Sequence, residues 1–291
     1  SSAGLGKTSP EMAQRTIYLN AGWDFLNTWT MSESGAPVLL SQPLSAPTVA
    51  SLFAGGDGTA ASPYQIATFQ QLKDIPIAAQ VDANASSAAY ILTNDITINT
   101  GAECPTLGTF TGQFDGGGHT ISGINISLEQ ERVGLFGTLT GATISNLSLL
   151  IGTINSHDHN YVGGLAGYVD DSTVINNVHV TLAGSITAGS TGDRVGGIAG
   201  FLTSSTIQNS HIVGHTSSQV AGDDYVGGLA GYLESSSTIT QSTVGELLTV
   251  QGTAWVGGAA GYLYSSTMTE SLSHATVKES LRGEISSGNY L

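Results

Sequence analysis

Apolar and polar positions alternate in short runs along most of this chain. Examples are AYILTNDITI at 89–98, FTGQFDGGGHTISGINI at 110–126 and VINNVHV at 174–180. Gly, Ser or Asn interrupts each run after a few residues. A period of two over such lengths, rich in Val, Ile and Thr, predicts short half-buried strands. One stretch departs from it. In TFQQLKDIPIAAQ (68–80) Phe69, Leu72 and Ile75 fall at helical spacing, which predicts one short amphipathic helix.

The runs also repeat at longer range. VGLFG begins at Val133, VGGLAG at Val162, VGGIAG at Val195, VGGLAG at Val226 and VGGAAG at Val256, in steps of 29, 33, 31 and 30 residues. The octapeptide YVGGLAGY occurs unchanged at 161–168 and at 225–232. A second string follows each first one: ATISN, STVIN, STIQN, STITQ and STMTE. Aligning these gives a hydroxyl column (Thr143, Thr173, Thr206, Thr238, Thr267) and an apolar column (Ile144, Val174, Ile207, Ile239, Met268). A third column is Asn146, Asn176, Asn209, Gln241 and Glu270. Units of about 30 residues made of strands cannot bury an apolar face alone, but stacked units can. The pattern therefore predicts an all-β parallel β-helix, one coil per repeat, rising by about 4.8 Å per coil. Columns in the sequence become ladders in space. The amide column is expected to hydrogen bond up and down the stack. The variable stretch before each VG places insertions in one loop, and the 68–80 helix is expected to cap the open N-terminal end.

Composition narrows the function. Of 291 residues 10% are charged, with seven Lys and Arg and a net charge of −15. So few cations cannot track a phosphate backbone or an anionic bilayer, so neither nucleic acid nor membrane is an expected partner. No apolar run reaches the length of a spanning helix. Cys104 is the single cysteine, which excludes an intrachain disulfide and a cysteine-based zinc cluster. It is expected to be a small buried residue. SSAGLGKTSP at the start carries no charged-then-apolar leader.

With GLAG at 164–167 and 228–231, FDGGGHTI at 114–121 and GGDGTAASPYQIATFQQL at 55–72, residues 53–291 resemble the GLUG repeat arrays of large exported bacterial proteins. Adhesin and haemagglutinin-like proteins carry such arrays, as does the non-catalytic part of some immunoglobulin A metalloproteases. The last-quoted segment is similar to the one that opens such arrays. KTSPEMAQRTIYLNAGWDFLNTWTMSESGAPVLL (7–40) looks like the one that closes them, here preceding the array. The implied organisation is a closing segment of a preceding array at 1–44, a linker at 45–52, a capping helix with irregular first coils at 53–131, and repeats at 132–291. GNYL at 288–291 matches HNYV (159–162) and DDYV (223–226), so adjacent repeat units of a longer chain are expected neighbours.

Candidate chemistry is sparse. HIVGH at 211–215 has the histidine spacing of a zinc helix, but Ile212 stands where the catalytic Glu would be and the intervening residues favour a strand. HDH at 157–159 reads as a solvated loop rather than a metal site. The pairs Asp170–Asp171 and Asp223–Asp224 invite comparison with glycoside hydrolases. They occupy different places in the repeat, with no Lys or Arg beside them to hold a uronate. Asp158, Asp193 and Asp223 mark acidic corners whose spacing matches no calcium loop. Thr-any-Thr, the ice-binding pattern, occurs at Thr238/Thr240 and Thr267/Thr269 and does not continue through the other coils.

One column carries a sharper signal. The residue before each VG is Arg132, Tyr161, Arg194, Tyr225 and Trp255, and Tyr290 stands at the same place before Leu291. If it faces outward, guanidinium and ring planes can stack into a contact stripe for glycan or protein. A second column, Tyr168, Phe201, Tyr232 and Tyr262, is expected in the core or in a packed corner. The chain thus reads as a non-catalytic adhesive or spacing module, extracellular or on a bacterial surface, needing no metal or cofactor. Its expected partners are a glycan or a host or neighbour-cell surface protein. The alternatives are a carbohydrate-binding or carbohydrate-processing β-helix and a non-catalytic module of a secreted protease.

Overall fold

In the computed structural model, residues 48–99 and 104–279 are described, together with two short strands, Trp29–Met31 and Pro37–Leu39, which pair antiparallel. The rest of the closing segment at 1–44, the first part of the linker and Tyr290 lie outside the described residues.

Alternation becomes stacking. The strands form a parallel solenoid of about seven turns. The coil beginning at Val162 shows the pattern. A short strand Val162–Gly163 leads to Ala166–Asp170, then to the long bent strand Val174–Thr187, and a loop returns the chain to Val195. Its Val162, Leu165, Val169, Ile175, Val178, Val180, Leu182 and Ile186 all point inward with no solvent exposure. The same positions in the coils above and below build one continuous core. At the far end of the described residues Val277 pairs with the fully buried Val250 yet is 45% exposed, because no described coil covers it.

One coil per repeat holds, but one coil sits a residue out of the expected alignment. Thr143, Val174, Thr206, Thr238 and Thr267 are in register, not Thr173. The apolar column is therefore Ile144, Ile175, Ile207, Ile239 and Met268. The second Thr-any-Thr place reads Ser145, Asn176, Gln208, Thr240 and Thr269. The cause lies in the preceding corner: Asp171 and Ser172 both take left-handed φ there, as do Ser235 and Ser236, but the latter corner is followed by an additional residue, Ser237, before its Thr. Thr173 itself therefore turns inward, where it is fully buried beside Ser205 and Ser237.

The shift exposes two buried hydroxyl ladders. In the first, Ala142 N–H donates to Thr173 Oγ1 at 3.1 Å, Thr173 N–H to Ser205 Oγ at 3.1 Å, and Ser205 N–H to Ser237 Oγ at 3.4 Å. In the second, Val178 N–H donates to Ser210 Oγ, Ser210 N–H to Ser242 Oγ and Ser242 N–H to Ser271 Oγ. Each hydroxyl satisfies a corner amide that the strand ladder leaves over. The amide column sits at the neighbouring corner, all left-handed: Asn146, Asn177, Asn209, Gln241 and Glu270, with φ of 48–56°. Asn177, not Asn176, holds that place; asparagine tolerates this conformation better than most residues.

The helix is Phe69–Val81. Thr68 Oγ1 accepts from Gln71 N–H, and Gln71 Oε1 accepts from Ala67 N–H at 2.8 Å, which closes its first turn. Leu72, Ile75, Ile77 and Ala78 are buried, and Leu72, Ile75 and Ala78 join one core cluster with Ile66, Tyr90 and Leu92 of the first coils. No helix among the described residues is long and apolar enough to cross a membrane.

Ser242→Ala should cost about 1–3 kcal/mol, because it strands the Ser210 amide in the core. Ser145→Ala, on the outer face, should stay within about 0.5 kcal/mol. Denaturant midpoints of the two variants measure the difference.

Candidate functional site

The stripe before each VG is positioned by glycine. A Cβ on the last glycine of VGGLAG would strike backbone: at Gly167 the Arg132 Cα and Tyr161 O at 2.5 Å, at Gly231 the Tyr225 O at 2.6 Å and the Arg194 C at 2.7 Å. Only glycine lets the chain before one VG lie directly on the strand after another. That approach brings the Arg/aromatic column against the second aromatic column.

All five stripe residues are left-handed: φ is 62° at Arg132, 66° at Tyr161, 61° at Arg194, 58° at Tyr225 and 52° at Trp255. Such a backbone costs an L-residue roughly 1–2 kcal/mol. Elsewhere many left-handed places are held by residues that bear it more cheaply, such as Asn146, Asn177, Asn209 and Gly141, with Gln241, Leu247 and Glu270 among the exceptions. Only here does the fold set Arg, Tyr and Trp in that conformation at one place in five successive coils.

Those side chains interlock with the second column. Tyr168 stacks on Phe201 (4.9 Å, 14°), Phe201 on Tyr232 (5.4 Å, 16°) and Tyr225 on Trp255 (4.7 Å, 2°). Tyr161 meets Tyr168 and Phe201 edge-on, and Tyr225 meets Tyr232 and Tyr262 the same way. The Arg132 guanidinium lies 4.5 Å over Tyr168. Arg194 is held among Tyr161, Tyr225 and Tyr232 at 5.2–5.6 Å. The result is one band two columns wide. Phe201 is buried, Tyr161, Tyr168, Arg194, Tyr225, Tyr232 and Tyr262 are half-buried, and Arg132 and Trp255 are exposed.

The stripe therefore faces outward in part, with Arg132 and Trp255 exposed and Tyr161, Arg194 and Tyr225 half-buried. Most ring faces are covered by neighbouring rings or guanidinium groups, while Trp255 stays exposed. Burial raises the hydroxyl pKa of Tyr168, Tyr225 and Tyr232, so these hydroxyls stay protonated at neutral pH.

Over its first four coils the band repeats every second coil, and Trp255 breaks the alternation in the fifth. Arg132 and Arg194 alternate with Tyr161 and Tyr225, while Asp170 is in register with Thr140, and Glu234 with Thr203, on the strand beside them. Two coils span about 10 Å. The duplicated octapeptide lies 64 positions apart because it marks this two-coil unit. The sequence alone does not join the second column and the alternating carboxylates to the stripe, since only the glycine approach makes them adjacent.

The remaining candidates separate. His211 and His215 lie along one extended segment, roughly 13 Å apart at 3.3 Å per residue, too far to share one ion. Asp158 Oδ1 accepts from the Ser190 and Thr191 amides, which lowers its pKa, and His159 bonds to Ser156 O. Asp193 stacks with Asn160 and Asp224, not with Asp158 and Asp223. Among the described residues no three His, Cys, Asp or Glu side chains are grouped to hold a metal ion. Cys104 is buried, and burial pushes its thiol up to about 12.

No family model matches the chain. Over 105 residues it is 33% identical to an immunoglobulin A1 protease of Streptococcus sanguinis, a match covering 36% of this chain and 5% of that protein. Over 108 residues it is 36% identical to halomucin of Haloquadratum walsbyi, covering 33% of this chain and 1% of that protein. The chain thus spans a small part of either relative. A crystal structure from Bacteroides ovatus, provisionally described as an immunoglobulin A1 protease, superposes with a TM-score of 0.50 at 16% identity, covering 80% of this chain and 88% of that one. That likeness is one of fold.

Tyr225→Gly relieves the left-handed backbone yet removes four ring and guanidinium contacts, each worth about 0.5–1.5 kcal/mol. A net loss of about 1–2 kcal/mol in chemical denaturation is expected. A gain in stability would show that the ladder does not brace the solenoid.

Proposed function

We propose that the chain is a non-catalytic module of a large exported bacterial protein: a stiff GLUG-type solenoid that spaces and attaches, working outside the cell or at its surface. The observation that carries this reading is the set of five Arg and aromatic side chains held at left-handed backbone positions. Gly or Asn would turn the chain there at less cost, and five bulky side chains at the same left-handed place in five successive coils point to a use for the side chains themselves. The two-coil alternation of guanidinium and carboxylate, with tyrosine hydroxyls between, suits an extended polymer lying along the solenoid. A surface glycan or an extended segment of a surface protein is such a ligand. Nucleic acid does not suit it, because Asp170, Glu234, Asp193 and Asp224 flank the two arginines. The reading calls for no metal or cofactor.

A second reading, favoured by the similarity to immunoglobulin A1 proteases, makes the chain a non-catalytic module of a secreted protease. The contact band is the same in both; the partner differs.

Binding of the full chain to glycan and surface-protein arrays tests the proposal. A retained ligand should be held about 30-fold more weakly by Trp255→Ala, the equivalent of about 2 kcal/mol. The variant should also lose about 1 kcal/mol of stability with its stacking on Tyr225. Turnover of an array glycan would refute the non-catalytic reading, and the absence of any Trp255-dependent ligand would refute the attachment.

A further inference from the structure

Outside the band, five polar side chains are joined across four coils. His211 Nε2 lies 2.7 Å from His179 Nδ1, and His179 Nε2 lies 2.7 Å from Asn177 Oδ1. Asn177 Nδ2 donates to Asn146 Oδ1 at 2.9 Å, and Asn146 Nδ2 donates to Asp115 Oδ1 at 3.0 Å.

The direction of this chain is dictated by its end. An ionised carboxylate only accepts, so Asn146 must donate to Asp115 and accept from Asn177. The Asn177 oxygen then accepts, so His179 carries its proton on Nε2. When His179 is neutral its Nδ1 is a bare lone pair, and His211 Nε2–H donates to it. Each tautomer follows from the one before.

We propose that the His211–His179–Asn177–Asn146–Asp115 relay is an acid-sensitive clasp between coils, intact when the neutral histidine pair gains one proton and broken when it gains two. The first added proton goes to the free Nδ1 of His211, and the bond to His179 survives as a charge-assisted one. A second proton must go to His179 Nδ1, which is crowded by the His211 ring: the two rings stand nearly perpendicular with their centroids 3.7 Å apart. Two cations then face each other across one rung, and the clasp opens.

The surroundings offer little relief. In register with the pair stand Ser148 on one side and Thr243 on the other, both uncharged. Thr181 and Val213 follow on the same strands, also uncharged. The one carboxylate in the relay, Asp115, is separated from the imidazoles by two amides. Burial lowers both imidazole pKa values, and once one ring is charged it opposes a charge on the other. For bases with depressed folded pKa values, the unfolded chain binds more protons at mildly acid pH. The stability contributed by the relay is fully present above the ordinary histidine range and is lost as the pH falls through the lowered values.

Imidazole NMR titration of the full chain, with assignment by single-histidine variants, tests this. His179 and His211 should titrate in two steps separated by about one pH unit or more, as a coupled pair does. His211→Thr, which places in the column the residue that Thr243 supplies one coil on, should merge His179 into a single step at higher pH than the lower wild-type step. The melting temperature of His211→Thr should fall less between pH 7.5 and 5 than that of the wild type. If His211→Thr does not fold, His179→Thr gives the corresponding reading on His211. One common midpoint for both histidines at the ordinary value, or no change in the remaining histidine on removing its neighbour, overturns the proposal.

Discussion

Every feature of this molecule depends on one spacing. Each coil must lie a single strand separation from the next, so whatever stands at one place in a coil meets its equivalent above and below. Apolar residues at such a place become an unbroken core, as from Ile144 to Ile239. Polar residues there must hydrogen bond to copies of themselves or be left unpaired. Hydroxyls and amides, which both donate and accept, meet that demand, which is why Ser205, Ser237, Ser210, Ser242, Asn146 and Asn177 line the corners. Lysine and arginine cannot stack on themselves, and their scarcity accords with the architecture as much as with the surface.

The same spacing makes glycine indispensable at a few points. At Gly167 and Gly231 the backbone of a preceding segment takes the place of a side chain. This approach locks the left-handed residues over the neighbouring strand and joins two aromatic columns into one. The band is thereby both brace and surface. Most ring faces are consumed in holding coils together, while Arg132 and Trp255 stay exposed. Contact by such a band relies on hydrogen bonds and charge at its rim more than on stacking a ligand against a free ring.

Polar ladders carry a liability that apolar ones do not, because they depend on protonation. Hydroxyl and amide rungs are indifferent to pH. The rung built from His179 and His211 is not, and it lies in mid-stack, where coils on both sides depend on it.

Much was legible without coordinates. The period near 30 residues, the alternation within it and the absence of long helical patterns determined a one-coil-per-repeat parallel solenoid. The helical spacing of Phe69, Leu72 and Ile75 determined the cap. These follow from local periodicity, which a linear string records directly. The register of the coil at Thr173 did not follow. A corner that turns its Thr inward and a corner that turns inward the Ser before it leave nearly the same Ser-Thr string, and only pairing with the strands on either side decides which hydroxyl is buried. The joining of the two aromatic columns, and the relay from His211 to Asp115, likewise bring together residues from different coils, some separated by 31 or 32 positions. The sequence could name those residues, but which of them touch was decided by the stacking of one backbone on another.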